Sequence, residues 1–192
     1  MRLWTIQPVA IWELIQSKGY YHCDPMLTKE GQDWHEAYDW IAGRMRDRVG
    51  PPPDNIRWPV WAWEKKLDLR KSVGRNNREP YVRLTLEMPE SSVLLSEFID
   101  WHFVLWNGYI ALTEAEADAN ENATATEREA SWERIFDLDY VRDAWQGGGG
   151  REARLVQATF WEIRRDQVIR AEIFMPRKDG LSADSIATPA GR

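Results

Sequence analysis

The chain has 192 residues, 43% of them hydrophobic, with a net charge of −6 and a single cysteine. That is the size of one domain, able to bury roughly 70% of the surface its unfolded form exposes. One cysteine excludes an intramolecular disulfide and suits a reducing compartment, and the acidic balance argues against a general nucleic-acid binder.

Residues 2–7 (RLWTIQ) alternate as a strand does, with Arg2, Trp4 and Ile6 on one face and Leu3, Thr5 and Gln7 on the other. Pro8 suits the first turn of a helix that Gly19 stops, and Tyr20–Cys23 reads as a short second strand. Met1 runs directly into this pattern with no apolar leader, and no apolar run approaches the roughly 20 residues of a membrane span. A cytoplasmic protein with no membrane partner is the expectation.

The spacing of Trp34, Tyr38, Ile41 and Met45 predicts a helix over 32–48 with one aromatic-rich stripe facing the core. Gly50 and three prolines end it. Trp58–Trp63 and Tyr81–Met88 read as two strands, with Pro59 setting the first at an edge or at its start. Between them, Glu64 to Arg83 holds seven Lys/Arg and three acids, a balance of +4. Thr113 to Asp143 holds ten acids and three arginines, a balance of −7. These read as two solvated surfaces, free to pair with each other or not, or as a basic loop beside a pocket for an anionic ligand.

Ser96 is the expected N-cap of a helix through Trp106, and Thr113 with Glu116 has the spacing of a capping box. Residues 117–127 read as loop or a solvated helix end, and Trp132, Ile135 and Phe136 anchor a further helix. Gly147–Gly150 is a flexible break that lacks the Gly-Lys-Ser/Thr of a phosphate-binding loop. Residues 154–163 and 168–175 read as strands, and a disordered tail is expected over 179–192. The expected fold class is α+β: a single domain over 1–178, with a central mixed or antiparallel sheet and flanking helices.

The strand 154–163 is apolar on both faces, as a central strand should be, yet Gln157 and Thr159 share one of them. Buried polar side chains need partners or a ligand. Thr5 and Gln7 repeat the pattern on the first strand. If the two strands lie close, these four form one polar patch walled by tryptophan, of which the chain has twelve; otherwise they satisfy each other or nearby backbone. Trp61 is the expected wall and His102 a further pocket residue. The three histidines have no metal-ligand spacing, so no metal site is expected.

LWTIQP at the start, AYDW at 37–40, PVWAW at 59–63, LLSEF with WH from 94 to 102, and VQATFW at 156–161 resemble, in order, the DUF3841 family of bacterial proteins, defined only as a domain of unknown function. A more distant resemblance is to the ADP-ribosyltransferase fold, carried by the strand, helix, glycine and short strand of residues 2–22. It implies a site for NAD or another nucleotide-like ligand. Members carry a catalytic glutamate on a late strand; the matching strand here offers Gln157 and Thr159, and Thr5 stands where many members place His or Arg. Glu162, the nearby carboxylate, falls on the opposite face by alternation. The resemblance therefore implies nucleotide binding without the transfer chemistry. Two other readings are carried alongside: a non-catalytic protein-interaction module, and nucleic-acid binding through the 64–83 basic loop.

Overall fold

Alternation along the first strand sets the layers. Leu3 and Thr5 are buried while Arg2 is exposed and Trp4 half-buried, so β1 (Arg2–Pro8) has one face sunk in a core from the start. The computed structural model describes residues 1–23, 34–53, 56–68, 79–139 and 154–176. After β1 come α1 (Val9–Lys18), β2 (Tyr20–His22), α2 (His35–Arg48), β3 (Val60–Trp63), β4 (Tyr81–Glu87), β5 (Leu94–Glu97) and α3 (Phe98–Leu105). They are followed by α4 (Glu114–Ala119), α5 (Ala125–Trp132), β6 (Val156–Phe160), β7 (Glu162–Arg164) and β8 (Val168–Phe174). Gly19, at φ +88°, closes α1 in the left-handed conformation, and its N–H donates to the Ile15 carbonyl.

Six strands form one sheet in the order β5-β6-β3-β1-β4-β8, and β2 pairs with β7 in a second, small sheet. Every pairing described is antiparallel. The α+β class holds. β6 is buried at every position and lies inside the sheet, as its two apolar faces require. β3 is also internal, with Pro59 just ahead of its first residue.

Each face of the large sheet carries a core. On the back, Leu3, Val60, Ala62, Leu84, Ala158 and Phe160 pack with Ile15 of α1. On the front, Ala37, Ile41 and Met45 of α2 and Trp101 and Val104 of α3 pack with Leu94, Trp58 and Trp61. At the β1-β4 side of the front, Arg83 is buried, donates to the Leu67 carbonyl, and pairs with Glu172.

Several elements differ from the sequence expectation, each for a local reason. Trp34 is only half-buried at the N-cap of α2, whereas Trp40 is buried, because α2 packs on two sides and Trp40 meets Trp132 and Phe136 there. Ser96 does not cap α3: it is the third residue of β5, and Glu97 caps instead, accepting from the Asp100 N–H. Thr113 does accept from the Glu116 N–H, but the Glu116 carboxylate turns to Leu112 N–H and Tyr109. The reciprocal capping box forms at Thr124 and Glu127 instead, so the segment 117–127, read as loop or a solvated helix end, holds both the end of α4 and the start of another helix. The strand expected over 154–163 is broken at Trp161, whose indole N–H donates to the Gly50 carbonyl; past it the chain leaves the large sheet to pair with β2.

The ion pairs described for the acidic segment run to α2 and within the segment itself. Glu133 of the acidic segment accepts from Arg44 and Arg48 of α2, and Glu116 pairs with Arg134. Residues 69–78 of the basic segment, Gly147–Gly150 and the tail from 179 lie outside the described residues.

Candidate functional site

Strand register decides which predicted residues can meet. Ser96 pairs with Gln157, Gln157 with Trp63, Trp63 with Trp4, Trp4 with Thr85, and Thr85 with Arg170. Directly paired residues project to the same face, so these six side chains make one row across the front of all six strands. The neighbouring front row carries Leu94, Thr159 and Trp61 on β5, β6 and β3, and Ile6, Arg83 and Glu172 on β1, β4 and β8.

Thr5 and Gln7 are not in either row. Alternation from Trp4 puts them on the back, beside Leu3. Thr5 is 2% exposed and its hydroxyl donates to the Trp61 carbonyl at 2.8 Å; the Gln7 amide donates to Thr5 Oγ1 at 2.9 Å. The single patch of four polar residues expected from the sequence is thus divided by the sheet itself. Counting residues along each strand gives two faces per strand, but only the order β6-β3-β1 and its register say which faces coincide.

On the front, Thr159 is satisfied. It is fully buried, and its hydroxyl lies 3.2 Å from the Leu94 carbonyl and 3.3 Å from the Met45 sulfur. Gln157 is different: it is 4% exposed, and its Nε2 has no hydrogen-bond partner among the described residues. Across the ladder, Ser96 is 0% exposed and its Oγ is likewise unpartnered. The Trp61 indole nitrogen, in the next row, makes a third. An unpaired buried amide or hydroxyl costs about 1–3 kcal/mol, so three on one face need a cause.

Aromatic rings enclose this region. Trp61 lies 4.8 Å from Trp101 and 6.1 Å from Tyr38, and Trp63 lies 4.8 Å from Phe98, centroid to centroid. Burial, with Cys23 nearby, pushes the Tyr38 phenol up to about 12, although the Trp61 N–H pulls it the other way. That N–H is close enough to act on the phenol without making a well-formed hydrogen bond to it. His102 stands off the polar row. Its Nδ1 is 2.8 Å from the Phe98 carbonyl one helical turn back, and its ring packs between Phe98 and Trp106. Glu162 lies on β7, off the large sheet.

Two surface clefts lie elsewhere. One, of about 290 Å³, is bordered by Pro51, Ser91 and Trp161; the other, of about 480 Å³, by Trp40, Glu129 and Trp132. None of the six expected site residues borders either. Among the described residues no group of three or more His, Cys, Asp or Glu could hold a metal ion, and no helix is long and apolar enough to cross a membrane.

Sequence comparison supplies the family. The model of DUF3841, a domain of unknown function, matches residues 2–128, which run from β1 into α5. The chain belongs to that family. The DUF3841 match takes in Trp4, Trp61, Trp63, Thr85 and Ser96, while Gln157 and Thr159 lie beyond it. No curated protein and no solved structure matches the chain, so the ADP-ribosyltransferase likeness gains no support.

The structure adds Ser96, Trp63, Trp4 and Thr85 to Gln157. Ser96 was hidden by its resemblance to a helix cap, and the two tryptophans by the plain expectation that tryptophan is core. Their grouping depends on strand order, which no local signal carries.

Proposed function

We propose that this DUF3841 domain binds a small planar ligand on the front of its sheet, anchored through a carbonyl or carboxylate oxygen by Gln157. The observation that carries this reading is the buried, unpartnered Gln157 carboxamide nitrogen, facing the equally unpartnered Ser96 hydroxyl across the β5–β6 ladder. Nε2 can only donate, the indole N–H of Trp61 can only donate, and a serine hydroxyl can do either. Donors held together in a dry place favour an acceptor oxygen. The half-buried rings of Trp63 and Trp4, next in the same row, offer stacking surface to a flat ring. A nucleobase or a nicotinamide carboxamide combines both features, which keeps nucleotide-like ligands, NAD among them, as the first class to try. Thr5 and Gln7 have no part in this site, and Thr159 serves as a strut beneath it.

The test is thermal unfolding of wild type and Gln157→Leu, each with and without NAD, nicotinamide and common nucleotides. Ligand that binds only the folded state raises its unfolding temperature. A rise in wild type that is absent in the variant supports the reading. The reading fails if none of these compounds shifts the wild type, or if one shifts both proteins equally.

A further inference from the structure

The two edges of the large sheet are finished differently. β5 is four residues long, leads straight into α3, and packs against the Glu133–Phe136 turn. β8 is seven residues long, and among the described residues no strand lies on its outer side. An open edge offers a row of unpaired backbone groups to another strand, which proteins commonly blunt with charge or cover. Here the charges are limited to Arg170 and Glu172, and apolar side chains alternate with them: Ile169, Ile173 and Met175 are 52%, 63% and 57% exposed, and Ala171 between them is exposed as well.

We propose that this edge is a self-association surface, on which β8 of a second copy pairs antiparallel about a two-fold axis through Ala171. The sequence of the strand is self-complementary in that register alone. With Ala171 opposite Ala171, Arg170 of each copy stands across from Glu172 of the other, and Ile173 across from Ile169. Opposite charges facing each other across a ladder stabilise it, and like charges destabilise it. Shifting the axis to Glu172 sets carboxylate against carboxylate; shifting it to Ile173 leaves Arg170 without an acid. A two-fold contact requires this property, since the same patch must complement itself.

The charges are placed for it. Buried Arg83 holds Glu172 from below, with its Nε and Nη2 at 3.0 and 2.7 Å from one carboxylate oxygen. Arg170, 64% exposed, reaches the other oxygen at 2.9 Å within its own strand. In the pair, Arg170 turns to Glu172 of the second copy and the acid stays anchored. The register shift between β4 and β8 at Thr85/Leu86 leaves Ile169 without a partner on β4, so the regular stretch of β8 begins at Arg170 and the contact is short. A contact confined to one short strand pair is small, so the dimer should dissociate readily on dilution.

Sedimentation velocity over a dilution series from millimolar to micromolar protein tests this. Wild type should pass from dimer to monomer. Ile173→Lys should be monomeric throughout with an unchanged unfolding temperature, because that side chain is largely in solvent. Arg170→Glu should shift the midpoint to at least tenfold higher concentration. Register is read separately in a Cys23→Ser background: Ala171→Cys should form an intermolecular disulfide under mild oxidation, since opposed Cα atoms in a ladder are about 4.5–5.5 Å apart, within disulfide reach. Ile173→Cys should not. A wild type that is monomeric at every concentration overturns the proposal. So does a dimer that neither Ile173→Lys nor Arg170→Glu weakens, or a disulfide that forms as readily at 173 as at 171.

Discussion

Thr5 and Thr159 lie on opposite faces of the same sheet, and each donates its hydroxyl proton to a main-chain carbonyl of a neighbouring strand, Trp61 for Thr5 and Leu94 for Thr159. Two residues that look alike as candidate ligand contacts are alike instead as struts. Gln157, two residues from Thr159 on the same face, has no such bond.

That contrast gives the first prediction. Thr159→Val should cost about 0.5–1.5 kcal/mol, the net worth of one intramolecular hydrogen bond, and Thr5→Val more, because it also takes the acceptor away from the Gln7 amide. The sheet separates them and they share no partner, so their effects should add to within about 0.5 kcal/mol. Gln157→Leu should cost nothing measurable, because no protein partner is left unsatisfied. Urea unfolding of the three single variants and the double threonine variant reads all of this. A loss at Gln157→Leu as large as at the threonines would show that its carboxamide serves the fold.

Trp58 is a better measure of the front core than Trp34. Trp58 is 2% exposed, packs its ring at a tilt against Tyr38 at 5.3 Å and His35 at 4.8 Å, and donates its indole N–H to Asp39 at 2.8 Å. Hydrogen bonds from Arg57 are the main reason that the Asp39 carboxyl sits below the usual carboxylate range. Trp58→Ala should cost about 3–5 kcal/mol, through the cavity it leaves and the lost bond. Trp34→Ala, at the half-buried N-cap of α2, should cost less than half as much in the same denaturation experiment.

What was legible in the sequence follows from the range over which each signal acts. Alternation in Arg2–Gln7 and the double apolar face of 156–160 gave strands with the correct faces, because a side chain's direction depends only on its neighbours along the chain. The stripe on α2 was half right: Ile41 and Met45 are fully buried, but Trp40 joined the core when α5 packed on a second side. The polar patch could not be read, since whether Thr5 meets Gln157 depends on β3 lying between β1 and β6 and on a register that brings Ala62 to Ala158.

Capping shows the same limit at shorter range. The pattern of a hydroxyl followed three residues later by Glu occurs at both Thr113 and Thr124, and the reciprocal pair forms at the second. Glu116 is diverted by the Leu112 N–H, the Tyr109 hydroxyl and Arg134, partners that the pattern does not contain. Thr124→Ala should therefore destabilise by about 1 kcal/mol, the usual worth of an N-cap. Because Glu127 accepts from both the N–H and the hydroxyl of Thr124, Thr124→Ala/Glu127→Ala should cost less than the sum of the single changes, as a double-mutant cycle would reveal.

The aromatic wall of the candidate site predicts alkaline behaviour of definite sign. The Tyr38 phenol, pushed by burial from 10.0 to about 12, is harder to ionise in the folded chain than in the unfolded one. Below pH 10 both states keep the proton and the linkage leaves stability unchanged. Between pH 10 and about 12 the unfolded state loses its proton first, so folding stability falls, by about 2–3 kcal/mol in all for a shift of this size. Other tyrosines and lysines titrate in the same window, so the measurement is a difference: urea unfolding of wild type and Tyr38→Phe at matched pH values from 8 to 12. Wild type should lose stability faster than the variant above pH 10, and the two curves should run parallel below it. Parallel curves over the whole range would mean that the Tyr38 hydroxyl is open to water, and the wall of Trp61 and Trp101 around it would then admit solvent as well.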